Sequence, residues 1–164
     1  MNLIAAADAN WAIGKNGKLL VSIPEDMKRF RALTTGKTVI LGRKTLATFP
    51  QGKPLKNRRN IILTQDPFFK TEGAEIAHSV NEALELCGDD DPADIYVIGG
   101  GSIYRAFLPY CDTAYITRLD YSYAADAYMP DLDSDPAWEK ADESEEHTYF
   151  DLIYTFDTYK RTKA

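Results

Sequence analysis

The feature that most limits what this chain can become is a repeated order: a short apolar run, a turn residue, then a segment of helical type. Leu3–Ala7, Lys37–Leu41, Asn60–Thr64 and Asp94–Ile98 are four such runs, rich in Val, Ile and Leu. Runs of this length, apolar on both faces, read as strands covered from both sides. Helical patterns lie at Ser22–Leu33, after Gly42, over Ser79–Cys87 and over Ser102–Leu108. Strands alternating with helices predict an α/β domain built on a mostly parallel sheet. Glu75–Ala77 and Thr113–Leu119 add strands, and Tyr149–Tyr159 supplies one or two more, antiparallel at the sheet edge. The expected fold is one domain over residues 1–164: a central, twisted, mostly parallel sheet of about eight strands, an antiparallel C-terminal edge strand and about four flanking helices. Asp8–Ser22 and the acidic stretch Ala125–Glu146 read as loops; the first is long enough to be functional or mobile.

The first helical segment carries the most chemistry. Ser22 reads as its N-cap, Glu25 completes a capping box, and Pro24 falls in the first turn. Ile23, Met27, Phe30 and Leu33 recur at helical spacing as one apolar stripe, and Asp26 lies on its edge. Asp26 is either a first-turn acid complementing the helix dipole or a carboxylate held against apolar groups as a ligand anchor. Position alone leaves both open.

Two strand-to-helix junctions stand out. Gly42-Arg43-Lys44-Thr45 joins a glycine, two cations and a hydroxyl at a helix start, the type of a phosphate cradle. Gly99-Gly100-Gly101 is either a tight turn or backbone that approaches a ligand closely. It is no dinucleotide fingerprint, because Tyr104 occupies the third glycine's place. Gly36-Lys37-Thr38 precedes a strand and has Arg31 where a P-loop needs glycine. Ser79 and Glu82 form a second capping box, closed by Gly88. Pro50–Arg59 is a basic, turn-rich loop.

Charge and composition exclude several classes. Residues 1–70 carry 13 Lys/Arg against 4 Asp/Glu, and the remainder 6 against 21. The basic half is either a solvated face or one turned to an anionic small ligand. An overall charge of −6 argues against nucleic acid. No apolar run is long enough to span a membrane, and the start of the chain reads as a strand, not a signal peptide. Cys87 and Cys111 read as core thiols of a reduced, cytoplasmic protein, and His78 and His147 lie too far apart to suggest a metal site.

Seven blocks in fixed order resemble dihydrofolate reductase along nearly the whole chain, in its bacterial chromosomal type: Ile4-Ala5-Ala6, Trp11–Gly14, Ile23–Phe30, Gly42–Thr45, Pro54–Arg58, Val97–Tyr104 and Tyr115–Thr117. The resemblance implies NADPH-dependent reduction of 7,8-dihydrofolate to tetrahydrofolate, supporting one-carbon metabolism, by a monomer that antifolate inhibitors would also bind. Asp26 then matches the one ionisable side chain of the pterin site, with Thr117 as its partner. Leu19 in the mobile lid and Tyr104 beside the nicotinamide complete the implied catalytic set. Substrate would meet Ile4, Ala5, Met27, Phe30, Phe49, Leu55, Arg58 and Ile98, with Arg58 holding the α-carboxylate. Ala6, Ile13 and Gly14 match the nicotinamide end of the cofactor site. Gly42, Arg43, Lys44, Thr45, Leu63, Thr64 and Gln65 match the phosphate and 2′-phosphate side. Ile98, Gly99, Gly100, Gly101, Ser102 and Ile103 match the pyrophosphate segment, with a cis peptide at Gly99–Gly100. Asp126 matches a residue that steadies the lid, whereas Arg59 reads as a solvated charge. The chain departs from the pattern at Leu20-Val21, where many relatives have Pro-Trp and an ordered water. Two other readings remain: a same-fold NADPH reductase for a ribosylated pyrimidine, and a folate- or nucleotide-binding module without catalysis.

Overall fold

The structure is a computed structural model that describes residues 1–162. The chain opens with β1 (Asn2–Ala7), a short hairpin β2 (Ala12–Lys15) and β3 (Lys18–Leu19), then helix α1 (Pro24–Thr34) and strand β4 (Thr38–Gly42). A one-turn helix α2 (Arg43–Leu46) leads to β5 (Arg59–Leu63), β6 (Ala74–Ala77), α3 (Val80–Cys87), β7 (Ile95–Gly99) and α4 (Gly101–Phe107). After a 3-10 turn at Leu108–Tyr110 the remaining regular elements are strands: β8 (Thr113–Leu119), β9 (Ala127–Tyr128), β10 (Trp138–Glu143), β11 (His147–Tyr149) and β12 (Leu152–Arg161).

Eight strands run in the order β10-β12-β8-β1-β7-β4-β5-β6, and β11 pairs with β12 as the ninth member of the sheet. From β8 to β6 every pairing is parallel; β12 pairs antiparallel with β8, and β10 adds antiparallel outside it. This is the mixed α/β architecture that the alternation of runs predicts.

Alternate residues of the inner strands feed opposite sides. Leu3, Ile40, Ile61 and Val97 join Phe107 and Ala83 from the α3/α4 side. Ile4, Val39, Leu41 and Ile62 face the other way, against Phe30 and Leu33 of α1. Period-two alternation therefore fills two cores from one sheet. Each fully buried Leu, Ile or Val contributes about 1.5–3 kcal/mol of apolar transfer.

Four expectations need correction. The first helix begins at Pro24, with Ile23 extended (φ −110°, ψ 119°) as its cap residue and no side-chain cap bond. Proline disfavours the helical region for the residue before it, so the start moves one residue past Ser22 and the capping box cannot close. At the second box Ser79 Oγ does accept from Glu82 N, while the Glu82 carboxylate takes the N–H of His78, one residue before the cap. Asp8–Ser22 is not structureless, since β2 and β3 form a small sheet with β9. The acidic stretch likewise contains β9 and β10. Trp138 is the buried residue of β10 and the next five face solvent, so no apolar alternation marks that strand. Exposed charges suit an edge position, where they discourage pairing with another chain. Arg59 is no solvated charge: it donates to Glu75 Oε2 at 2.5 Å, to Asp90 Oδ2 at 2.9 Å and to the Leu86 carbonyl.

Candidate active site

The carboxyl ends of β1, β4, β5 and β7 open into one cleft, where ligands of open α/β sheets bind. A cavity of about 960 Å³ lies there. All seventeen residues expected for the cofactor line it: Ala6, Ile13, Gly14, Gly42, Arg43, Lys44, Thr45, Leu63, Thr64, Gln65, Ile98, Gly99, Gly100, Gly101, Ser102, Ile103 and Tyr104. Ala5 and Leu19 line it as well; Leu19, on β3, is 65% exposed.

Close packing explains part of this geometry. The Gly99–Gly100 peptide is cis, and Gly99 has φ 126°. A Cβ on Gly101 would strike the carbonyl oxygen of Tyr128, so this corner tolerates only glycine without a backbone shift. Arg43 is braced by Asp66 at 3.1 Å and lies 4.3 Å from the Phe69 ring centroid. Its guanidinium is thus oriented while half of it stays open to the cleft.

The residues expected for substrate lie beside this cavity. Ile4, Phe30, Phe49, Leu55 and Ile98 share one apolar cluster with Val39, Leu41 and Ile62. Met27 is half-buried on the same helix as Phe30. Asp26, in the first turn of α1, accepts a hydrogen bond from Thr117 Oγ1 of β8 at 2.5 Å. Burial pushes the Asp26 carboxyl above its ordinary value, opposed by the Thr117 hydroxyl and the charge of Arg29. The ligand-anchor reading of Asp26 therefore has the geometry it needs: a largely buried carboxylate that, among the described residues, accepts one hydrogen bond and keeps its other oxygen open.

At the far end, Arg58 sits 5.9 Å from the Phe30 ring centroid, and its buried Nε has no hydrogen-bond partner. Burial, with Arg31 nearby, lowers its pKa. A partly desolvated guanidinium with an orphaned donor is suited to a carboxylate. Tyr104 OH donates to the Ile4 carbonyl at 2.7 Å and joins the two halves of the cleft. Burial pushes that phenol upward, so it remains a neutral donor.

Several lining residues escape sequence reasoning: Lys15, Lys18, Thr48, His78, Ser79 and Val80. His78 Nδ1 lies 3.0 Å from the Thr64 carbonyl, which can only accept, so Nδ1 carries the proton and Nε2 is left for other partners. Its signal was hidden because Ser79 reads as a cap and nothing local ties His78 to Thr64. Asp8, fully buried, carries no local sequence signal for its role. Its carboxylate accepts from Asn10, Ala12 and Tyr123 N–H groups, pinning the roots of the hairpin and of the 121–123 loop.

The comparisons with known proteins agree with this geometry. The family described as dihydrofolate reductase matches residues 1–161. Dihydrofolate reductase of Bacillus subtilis is 35% identical over 81% of this chain and 77% of its own length. That of Staphylococcus haemolyticus is 34% identical over 99% of this chain and 96% of its own. Among solved structures, dihydrofolate reductase from Enterococcus faecalis, complexed with NADP(H) and RAB-propyl, superposes with a TM-score of 0.81 at 32% identity, covering 99% of this chain and 96% of that one. The chain belongs to the dihydrofolate reductase family.

Proposed function

We propose that this protein reduces 7,8-dihydrofolate to 5,6,7,8-tetrahydrofolate with NADPH, as a cytoplasmic monomer supporting one-carbon metabolism and thymidylate and purine synthesis. The observation that carries the reading is the Asp26–Thr117 pair at 2.5 Å, which puts a carboxylate beside an apolar slot next to the main cavity. The donor set of the cavity suits NADPH: the cations Arg43 and Lys44, the hydroxyls of Thr45 and Ser102, and glycine backbone at Gly99–Gly101. Arg43, Thr64, Gln65 and His78 surround the place for the 2′-phosphate, which favours NADPH over NADH. Bound there, NADPH supplies the hydride for C6 of the pterin.

The chain's own residues do the rest. Asp26 and Thr117 hold the 2-amino group and N3 of the pterin, and the negative carboxylate makes protonation of N5, from water, easier. Phe30, Phe49, Leu55 and Ile98 exclude water from the rings, while Arg58 holds the α-carboxylate and fixes the long axis of the substrate. The carbonyls of Ile4 and Ile98 face the pterin amino side, and Leu19 closes with the lid. Antifolate inhibitors that present an amino-substituted ring to Asp26 occupy the same slot.

The test is loss of NADPH absorbance with and without dihydrofolate, with NADH as control. Dihydrofolate-dependent oxidation that prefers NADPH supports the proposal. Tight binding of both ligands without oxidation makes the chain a binding module.

A further inference from the structure

The sequence reading gives Arg29 no role of its own, and the structure places it on the same face of α1 as Asp26, the largely buried carboxylate of the site. It follows Asp26 by three residues on α1, so the two side chains share a helix face. Its guanidinium carbon lies 4.6 Å from the centroid of the Phe156 ring and 5.7 Å from that of Tyr115. Phe156 pairs in register with Thr117, and Tyr115 precedes Thr117 by two residues, so all three point to one face of the sheet. The rings that hold Arg29 therefore flank the hydroxyl that Asp26 accepts. Among the described residues Arg29 is half-buried and has no hydrogen bond or ion pair of its own; its guanidinium is packed on aromatic faces.

We propose that Arg29 is a positioning residue for the reduction: clamped on Phe156 and Tyr115, its charge holds Asp26 as a carboxylate toward the substrate. The inference rests on the dihydrofolate reductase reading for its catalytic consequence.

The other groups around the pair do not supply this charge. On α1, Lys28 is exposed and paired with Glu25 at 3.3 Å. On β8, Thr117 is a neutral donor and Tyr115 a phenol. From α4 and β12, Tyr104 and Tyr154 present phenols whose pKa values burial raises, with Asp26 adding to the effect. Asp157 lies on the opposite face of β12, with Lys140 3.2 Å from its Oδ2. Val21, where relatives often carry Trp, packs against the Ile23, Leu119 and Tyr154 cluster and offers no polar atom. Arg29 is the cation that opposes burial at Asp26, and Asp26 in turn raises Arg29 against its own burial.

The test compares Arg29→Met with Arg29→Lys. One readout is the 13C shift of the Asp26 carboxyl carbon titrated in ligand-free protein. The other is the pH profile of kcat with dihydrofolate. Removing a cation makes protonation easier both at Asp26 and at N5 of bound substrate. Arg29→Met is therefore expected to move the carboxyl titration and the alkaline fall of kcat to higher pH, by about half a pH unit, the effect of one partly screened charge. Arg29→Lys is expected to stay close to the parent. Phe156→Leu, which loosens the clamp but keeps the charge, should move both readouts in the same direction by less, and it serves if Arg29→Met does not fold. A carboxyl titration that stays put in Arg29→Met, or that moves equally in Arg29→Lys, overturns the assignment while leaving the reaction intact. A parent enzyme that binds NADPH but does not turn over dihydrofolate overturns the reaction and with it Arg29's part in it.

Discussion

Asp126 Oδ2 accepts the backbone N–H of Asn16 at 3.0 Å, at the tip of the β2–β3 hairpin. The Asp126 N–H donates in turn to the Gly14 carbonyl at 3.1 Å, so one residue grips the hairpin at two points. Gly14 and Leu19 of that hairpin line the main cavity, and the grip therefore sets how the hairpin lies against it. Asp126→Ala should weaken NADPH binding about 3- to 10-fold, the scale of one hydrogen bond, without unfolding the protein. Fluorescence titration with NADPH measures this, and an unchanged Kd would mean that the Asp126 grip on the hairpin does not bear on the cofactor.

Asp26→Asn separates function from stability. Turnover at neutral pH should fall about a hundredfold, most steeply at alkaline pH where N5 is least protonated. Stability should move the other way. Burial raises the folded-state pKa of Asp26 above its unfolded value of 3.8, so this group removes stability as pH rises through that window. At neutral pH the ionised carboxyl is therefore a cost that Asn does not carry. Tm should rise by about 2–4 °C at neutral pH, the response to roughly 1 kcal/mol in a domain of this size. The gain should vanish at pH values below the unfolded pKa. A lower Tm across the whole pH range would contradict the argument.

Arg58→Leu should raise the KM for dihydrofolate about 10- to 100-fold and leave kcat within about twofold, since the guanidinium lies away from hydride transfer. Steady-state kinetics decides this. An equal loss in kcat would give Arg58 another role.

Gly101→Ala places a methyl against the Tyr128 carbonyl oxygen, a backbone atom that cannot swing aside. The expected cost is about 1–3 kcal/mol from overpacking, together with weaker NADPH binding as α4 shifts. Thermal unfolding and cofactor titration should both register it. A variant with parent Tm and Kd would mean that the corner is softer than its packing implies.

Glu75→Gln tests the Arg59 network in acid. The hydrogen bond from Arg59 holds the Glu75 carboxyl below its usual value of 4.5. Its contribution is complete above pH 4.5 and is lost as pH falls through the lower folded value. Both side chains are about a third or more exposed, at 34% and 42%, so solvent screening limits the effect to about 1 kcal/mol or less. Parent and variant should differ in Tm at neutral pH and converge in acid.

The inner strands were legible because residues such as Val39, Ile40 and Leu41 are apolar on both faces, and that run has few other structural solutions. The cavity lining was legible at Gly42–Thr45 and Gly99–Ser102, because glycine at a strand end marks backbone that must turn or approach closely. What escaped depends on partners far away in sequence. The hairpin strands β2 and β3 are too short and too polar to show a period, and β9 from another loop completes their sheet. Arg29 looks like one more charge on α1 until Phe156, near the end of the chain, comes to lie beneath it. Ser22 misled because the local rule for proline overrode the local rule for caps.

The outer strand β10 presents Glu139, Asp142 and Glu143 to solvent, whereas the cavity walls carry Lys15, Lys18, Arg43 and Lys44. A diffusing dianion thus meets repulsion along the edge strand and attraction at the cavity walls. The cleft becomes a funnel for negatively charged molecules, and encounter is biased toward the productive side before any contact is made. Capture by such a funnel slows steeply as ionic strength rises, whereas apolar contact within the cleft does not. Arrival and retention of a ligand thus answer to different physical controls in this protein.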